Sequence, residues 1–133
     1  MLNVEHIGIA VKDLESSNIV FERLFGKAPY KKEKVESEGV STSFFKIGET
    51  KIELLQATKA DSAIQKFIEK RGEGIHHIAF EVKDIYAEVE RLSSEGFLVL
   101  NAPRPGADNK LVAFLHPKST NGVLIEICQE IKK

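Results

Sequence analysis

Cysteine is almost absent: Cys128 stands alone in 133 residues. No internal disulfide can staple the chain, and a thiolate-held structural zinc is excluded for want of ligands. Cys128 sits in the apolar run Ile125-Glu126-Ile127-Cys128 and reads as a small buried hydrophobe, not a nucleophile. Long hydrophobic runs are missing too, so no membrane-spanning helix is expected. The start Met1-Leu2-Asn3-Val4-Glu5 lacks the basic stretch and apolar core of a secretion signal, and a cytoplasmic location is expected. Charge of either sign is not in excess, with 19 Lys and Arg against 20 Asp and Glu and a net charge of −1. Such a balance gives no field to attract a polyanion, so neither nucleic acid nor a membrane surface is an expected partner. What is present is ordinary for a soluble globular protein: 42% hydrophobic and 29% charged residues, enough for one domain over 1–133.

Within that ordinary composition one segment occurs twice. Val4-Glu5-His6-Ile7-Gly8-Ile9-Ala10-Val11-Lys12-Asp13-Leu14 returns as Ile75-His76-His77-Ile78-Ala79-Phe80-Glu81-Val82-Lys83-Asp84-Ile85, with 6 matching 77 and 13 matching 84 at one spacing of 71. A second echo follows, in which Lys51-Ile52-Glu53-Leu54-Leu55-Gln56 resembles Leu124-Ile125-Glu126-Ile127-Cys128-Gln129, 53 matching 126 at a spacing of 73. The chain therefore divides into module one (about 1–58), a helical linker (about 59–73) and module two (about 74–133). Neither half is large enough to bury a good core alone, so both are expected to fold as one domain.

Each module opens on a strand. Ile7, Ile9 and Val11 alternate with His6, Gly8 and Ala10, and Ile78, Phe80 and Val82 alternate with His77, Ala79 and Glu81, the period of a half-buried strand. Asp13 and Asp84 are placed as N-caps. The helices that follow carry Leu14, Ile19, Val20, Leu24 and Phe25 before Gly26, and Ile85, Val89 and Leu92 before Gly96. Strands are predicted over 40–47 and 51–56 in module one, and over 97–100, 111–115 and 123–128 in module two, with 30–34 as a further one. Residues 62–71 carry Ile64, Phe67 and Ile68 at helical spacing. Segment 101–110, with two prolines and a glycine, reads as a shaped loop. The fold class is α+β: two tandem βαβββ modules forming one open, barrel-like sheet around a metal-binding cleft.

The cleft follows from the polar residues that the repeat preserves. Glu53 and Glu126 each interrupt an apolar strand, where a carboxylate is costly to bury without a partner. His6 and His77 occupy the matching place in the opening strands. Alternation selects His77 over His76, because His76 aligns with Glu5 and faces the other way. Gln56 and Gln129 also repeat, but three residues beyond each glutamate, on the opposite strand face, where a structural role is expected. Two imidazoles and two carboxylates, His6, Glu53, His77 and Glu126, suit a borderline divalent first-row ion such as Co, Ni, Zn, Mn or Fe. If six-coordinate, that ion keeps two positions open, which implies catalysis at a carbonyl.

These modules, with His, Glu, His and Glu in order, resemble the vicinal oxygen chelate superfamily, which includes glyoxalase I, extradiol dioxygenases, fosfomycin resistance proteins and methylmalonyl-CoA epimerases. Four segments, 5–11, 48–55, 72–79 and 114–126, look most like the epimerase family. That resemblance implies interconversion of (2R)- and (2S)-methylmalonyl-CoA by α-proton removal and return through a metal-stabilised enolate. It further implies cobalt as the favoured ion (zinc, nickel or manganese serving as well) and an acyl-CoA as the small-molecule partner. His6, Glu53, His77 and Glu126 carry over as ligands and Glu126 as an acid/base. A homodimer is expected, since exposed edges of such modules often pair. One departure stands out: some epimerases have glutamate where this chain has Thr42, whose hydroxyl is a poor base, so the second acid/base is unassigned and Glu38 sits too near a turn to take the role. Lys110 and Lys118 are candidates to meet a substrate carboxylate or CoA phosphates. Glyoxalase I-type lactoylglutathione lyase activity, or a metal-free small-molecule-binding module of the same fold, is the alternative.

Overall fold

The computed structural model describes residues 1–131. In chain order the elements are β1 (Asn3–Ala10), α1 (Leu14–Phe25), β2 (Lys31–Val35), β3 (Val40–Ile47), β4 (Thr50–Ala57), α2 (Ala63–Arg71), β5 (Gly74–Glu81), α3 (Ile85–Ser94), β6 (Arg104–Gly106), β7 (Lys110–Leu115) and β8 (Ile125–Glu130). The βαβββ order appears twice, with α2 between, as the repeat requires, and the class is α+β. The residues group into two compact units, one of Ile7–His76 and one of Met1–His6 with the chain from His77 onward. No helix among the described residues is long and apolar enough to cross a membrane.

In the unit of Ile7–His76, β2, β3 and β4 form an antiparallel ladder in which Phe44 faces Glu53 and Thr42 faces Leu55. Alternation splits this ladder into two faces. Phe45 and Leu54 point to one of them and are fully buried together with Val11, under Phe21 and Phe25 of α1. The Phe25 and Phe45 rings meet edge-on at 5.3 Å, an arrangement that aromatic quadrupoles favour. Thr42, Phe44, Glu53 and Leu55 share the other face. The helix starts at Asp13, whose carboxylate accepts from Ser16 N–H, and stops at Gly26 with φ 74°, a left-handed cap that a side chain would strain.

The other unit repeats this plan in the same strand order, with β5, β8, β7 and β6 corresponding to β1, β4, β3 and β2. β5 pairs with β8 in parallel, β8 with β7 and β7 with β6 antiparallel. Helix α3 covers Ala113, Leu115 and Ile127 with Ile85 and Leu92. Asp84 accepts from Tyr86 and Ala87 N–H, while α3 ends one residue earlier than the glycine suggests, with Glu95 at the cap and Gly96 beyond it at φ 96°. Beside β5 lies the first half of β1, with Leu2 N–H donating to Glu81 O at 2.8 Å. Cys128 is fully buried with Ala79 and Val112, and burial, then the nearby Glu126 and Glu5 carboxylates, push its thiol pKa up.

The predicted strand 97–100 is the clearest departure. It makes only a single bridge, Val99 to Leu115, and the short strand β6 falls instead inside the segment read as a loop. The cause is local. Asn101 replaces main-chain pairing with its own amide, donating to Val112 O at 3.2 Å and accepting from Phe114 N–H at 3.0 Å. Pro103 follows and has no N–H to give. The edge is thus cut in two and resumes at Arg104.

Gln56 and Gln129 prove structural in a specific way. Gln56 Oε1 accepts from Leu14 N–H at 2.6 Å, and Gln129 Oε1 from Ile85 N–H at 2.7 Å. Each satisfies an orphan amide in the first turn of its module's helix, the same job in both copies. Replacing Gln129 or Gln56 by Ala should therefore cost about 1–2 kcal/mol in urea unfolding; a change within about 0.3 kcal/mol for both would show that the amides are served equally well by water. The Cys128 thiol should resist iodoacetamide in the native protein and react only in denaturant, and fast native labelling would contradict its burial.

Candidate metal centre

Parallel pairing of β5 with β8 sets Ala79 opposite Glu126. His77, two residues before Ala79, therefore shares its strand face. Antiparallel pairing of β8 with β7 adds Phe114 across from Glu126, its ring 6.0 Å from that of His77. Residue 79 is the fully buried Ala79, packed with Val112 and Cys128. The start of β1 brings the third group. Leu2 meets Glu81 and His6 meets His77, so residue numbers rise along β1 as they fall along β5, an antiparallel approach that sets the two histidines facing each other.

The three donor atoms converge closely. His6 Nε2 lies 3.1 Å from His77 Nε2, and Glu126 Oε1 lies 3.5 Å from the first and 3.2 Å from the second. All three residues are at most 5% exposed. Bonds of about 2.1 Å to a common ion imply donor separations of about 3.0 Å at right angles and about 3.4 Å at tetrahedral angles. The triangle spans that range. Its chemistry agrees, because two imidazole nitrogens and a carboxylate oxygen are donor types that a borderline divalent ion takes. The residues fit a divalent cation.

Glu126 shows the same tension. Burial alone would push its carboxyl pKa up, but attraction to His6, the hydrogen bond with His6 and attraction to His77 outweigh it, against a small opposing push from Glu5. The pKa falls below the ordinary carboxylate value, and the group is an anion at neutral pH.

Of the residues singled out in the sequence, His6, His77 and Glu126 are thus brought together in one compact unit. Glu53 lies in the unit of Ile7–His76, on β4 opposite Phe44 and 3% exposed. His76 turns away as alternation predicts, its ring 5.0 Å from Phe67 of α2. Thr42 is fully buried, and its hydroxyl donates to Glu33 O at 3.4 Å, a tie to the edge strand and not to a base. Lys118 is exposed in the turn Pro117–Ser119. Lys110 is not at the surface at all: it is 6% exposed, with Nζ 3.9 Å from Glu5 Oε2.

Glu5 is the residue that sequence reasoning passed over. Strand alternation sends its backbone direction away from His6, yet its side chain returns, and Oε1 lies 2.8 Å from His6 Nδ1. Glu5, His6 and Cys128 also form a cluster of ligand types within 4.8 Å, in which the Cys128 thiol donates to Phe80 O at 3.6 Å. The available signal was the position itself, a carboxylate adjacent to a candidate ligand histidine.

A profile of the glyoxalase/bleomycin resistance protein/dioxygenase superfamily matches residues 5–114. The ethylmalonyl-CoA/methylmalonyl-CoA epimerase of Cereibacter sphaeroides is 40% identical over 95% of this chain and 96% of its own. The uncharacterized protein YqjC of Bacillus subtilis is 38% identical over 97% and 93%. Among solved structures, a variant of Streptomyces coelicolor methylmalonyl-CoA epimerase in complex with 2-nitronate-propionyl-CoA aligns with a TM-score of 0.95 at 34% identity, over 99% of both chains. With the fold, the donor triangle and these similarities in agreement, the chain belongs to the glyoxalase/bleomycin resistance protein/dioxygenase superfamily.

Proposed function

We propose that this protein is a metal-dependent methylmalonyl-CoA epimerase. The observation that carries this is the triangle of His6, His77 and Glu126 donor atoms at 3.1–3.5 Å, in a chain whose similar relatives include epimerases of that substrate. Glu53 is the fourth ligand, on the strength of its repeat relation to Glu126 and its burial in an apolar strand. A divalent first-row ion, cobalt before zinc, nickel or manganese, supplies positive charge that stabilises the negative charge developing on a carbonyl oxygen when the α-proton leaves.

The chain's own residues do the rest. His6 and His77 would hold the ion as neutral imidazoles. Glu126 directs Oε1 at both of them, which leaves Oε2 to take and return a proton on one face of the substrate. Phe114 beside His77 keeps the surroundings apolar, so these charges act unscreened. Epimerisation needs an acid/base on the second face as well. Thr42 is committed to Glu33 O, and Glu53 could serve that face only by leaving the ion. We further infer action in the cytoplasm, as a single domain over 1–133. A homodimer is supported by the exposed Ile19, Val20 and Leu24 on α1, an apolar stripe that a second copy would cover.

Cobalt-loaded protein should incorporate deuterium at the α-carbon of methylmalonyl-CoA in D2O and interconvert its epimers, and chelator-treated protein should not. No labelling with metal bound would turn attention to glyoxalase-type hemithioacetals. Glu126→Gln should lower turnover by about 10²–10⁴-fold, and His6→Ala should lose the metal along with activity. Normal turnover by metal-free Glu126→Gln protein would end this proposal.

A further inference from the structure

Two buried charges near the donor triangle are not donors themselves. Glu5 is 4% and Lys110 6% exposed, and burying a carboxylate and an ammonium costs more than their attraction returns unless the geometry is good. Two apolar side chains would fill the same space at less cost. Nor does the repeat account for the pair, because the counterpart of Glu5 is His76, which packs on Phe67. Glu5 Oε1 lies 2.8 Å from His6 Nδ1, and Glu5 Oε2 lies 3.9 Å from Lys110 Nζ.

An imidazole has two neutral tautomers and can flip its ring, and only one of these arrangements turns an Nε2 lone pair toward His77 and Glu126. A carboxylate at Nδ1 accepts the N–H there and so selects that tautomer and that ring orientation together. Lys110 holds the other carboxylate oxygen, which keeps Glu5 from swinging in as a competing ligand.

We infer that Glu5 is a positioning residue that fixes His6 as the Nδ1–H tautomer, with Lys110 as its anchor, and thereby raises the affinity of the triangle for a divalent cation. The affinity half of this rests on the metal reading above; the tautomer half stands without it.

Nitrogen-15 NMR of the histidine rings in metal-free protein reads the tautomer, and cobalt titration followed by visible absorption reads the affinity. Both are made on the wild type, on Glu5→Gln, which keeps size and loses charge, and on Glu5→Leu/Lys110→Met, which leaves no buried charge unpaired. The wild type should show His6 protonated at Nδ1, and both variants should lose that preference and bind Co2+ about 10- to 100-fold more weakly, with circular dichroism unchanged. His6 protonated at Nε2 in the wild type, or unchanged tautomer and affinity in the variants, would overturn the inference. A wild type that is protonated at Nδ1 yet binds no Co2+ would strike the metal reading while upholding the positioning of the ring by Glu5.

Discussion

Two imidazole nitrogens and a carboxylate oxygen held within 3.1–3.5 Å of one another inside a sheet are the constraint on which the surrounding structure depends. They are kept together because each projects from a strand whose other face is locked under a helix, so that separating them means breaking the ladder or exposing apolar side chains such as Val82, Leu115 and Ile127. The parallel register of β5 on β8 and the Phe114 ring beside His77 both serve this convergence. Strands suit the task, since a site on rigid elements holds its donors more closely than one on loops.

The duplicated module supplies a frame in two copies and then departs from symmetry where the chemistry requires it. The frame is repeated down to single hydrogen bonds: Gln56 serves Leu14 as Gln129 serves Ile85, and Val11 N–H donates to Leu55 O as Val82 N–H donates to Cys128 O. The residues near the donors are not repeated. Glu5 supports His6, while its counterpart His76 packs on an aromatic ring. Both histidines lie on the same kind of strand, and one of them has acquired a carboxylate and a lysine behind it.

Much of the fold was legible because two-residue and 3.6-residue periods survive in each copy. β3, α1 and α2 lie close to their predicted bounds, since Asp13, Ser62 and Gly26 act locally as caps. The edge of module two was not legible. Whether 97–100 or 104–106 forms the ladder depends on the Asn101 side chain bonding to Val112 and Phe114, a choice made across the chain and invisible to local pattern. Lys110 illustrates the same limit in the site. As a residue beside a loop it reads as solvated or reaching for substrate, and only the partner carboxylate of Glu5 explains its burial.

The sequence by itself determined the two βαβββ modules and singled out His6, His77, Glu53 and Glu126 as candidate ligands, because repetition at spacings of 71 and 73 preserves residue types, and residue types carry ligand chemistry. The tertiary structure alone decided that His6, His77 and Glu126 meet at bonding separations, that Glu126 stays ionised although buried, and that Glu5 turns back onto His6. Those outcomes depend on distances between residues far apart along the chain, and on which charges share a place sheltered from water. Periodicity determines which way a side chain faces; only packing determines what it faces.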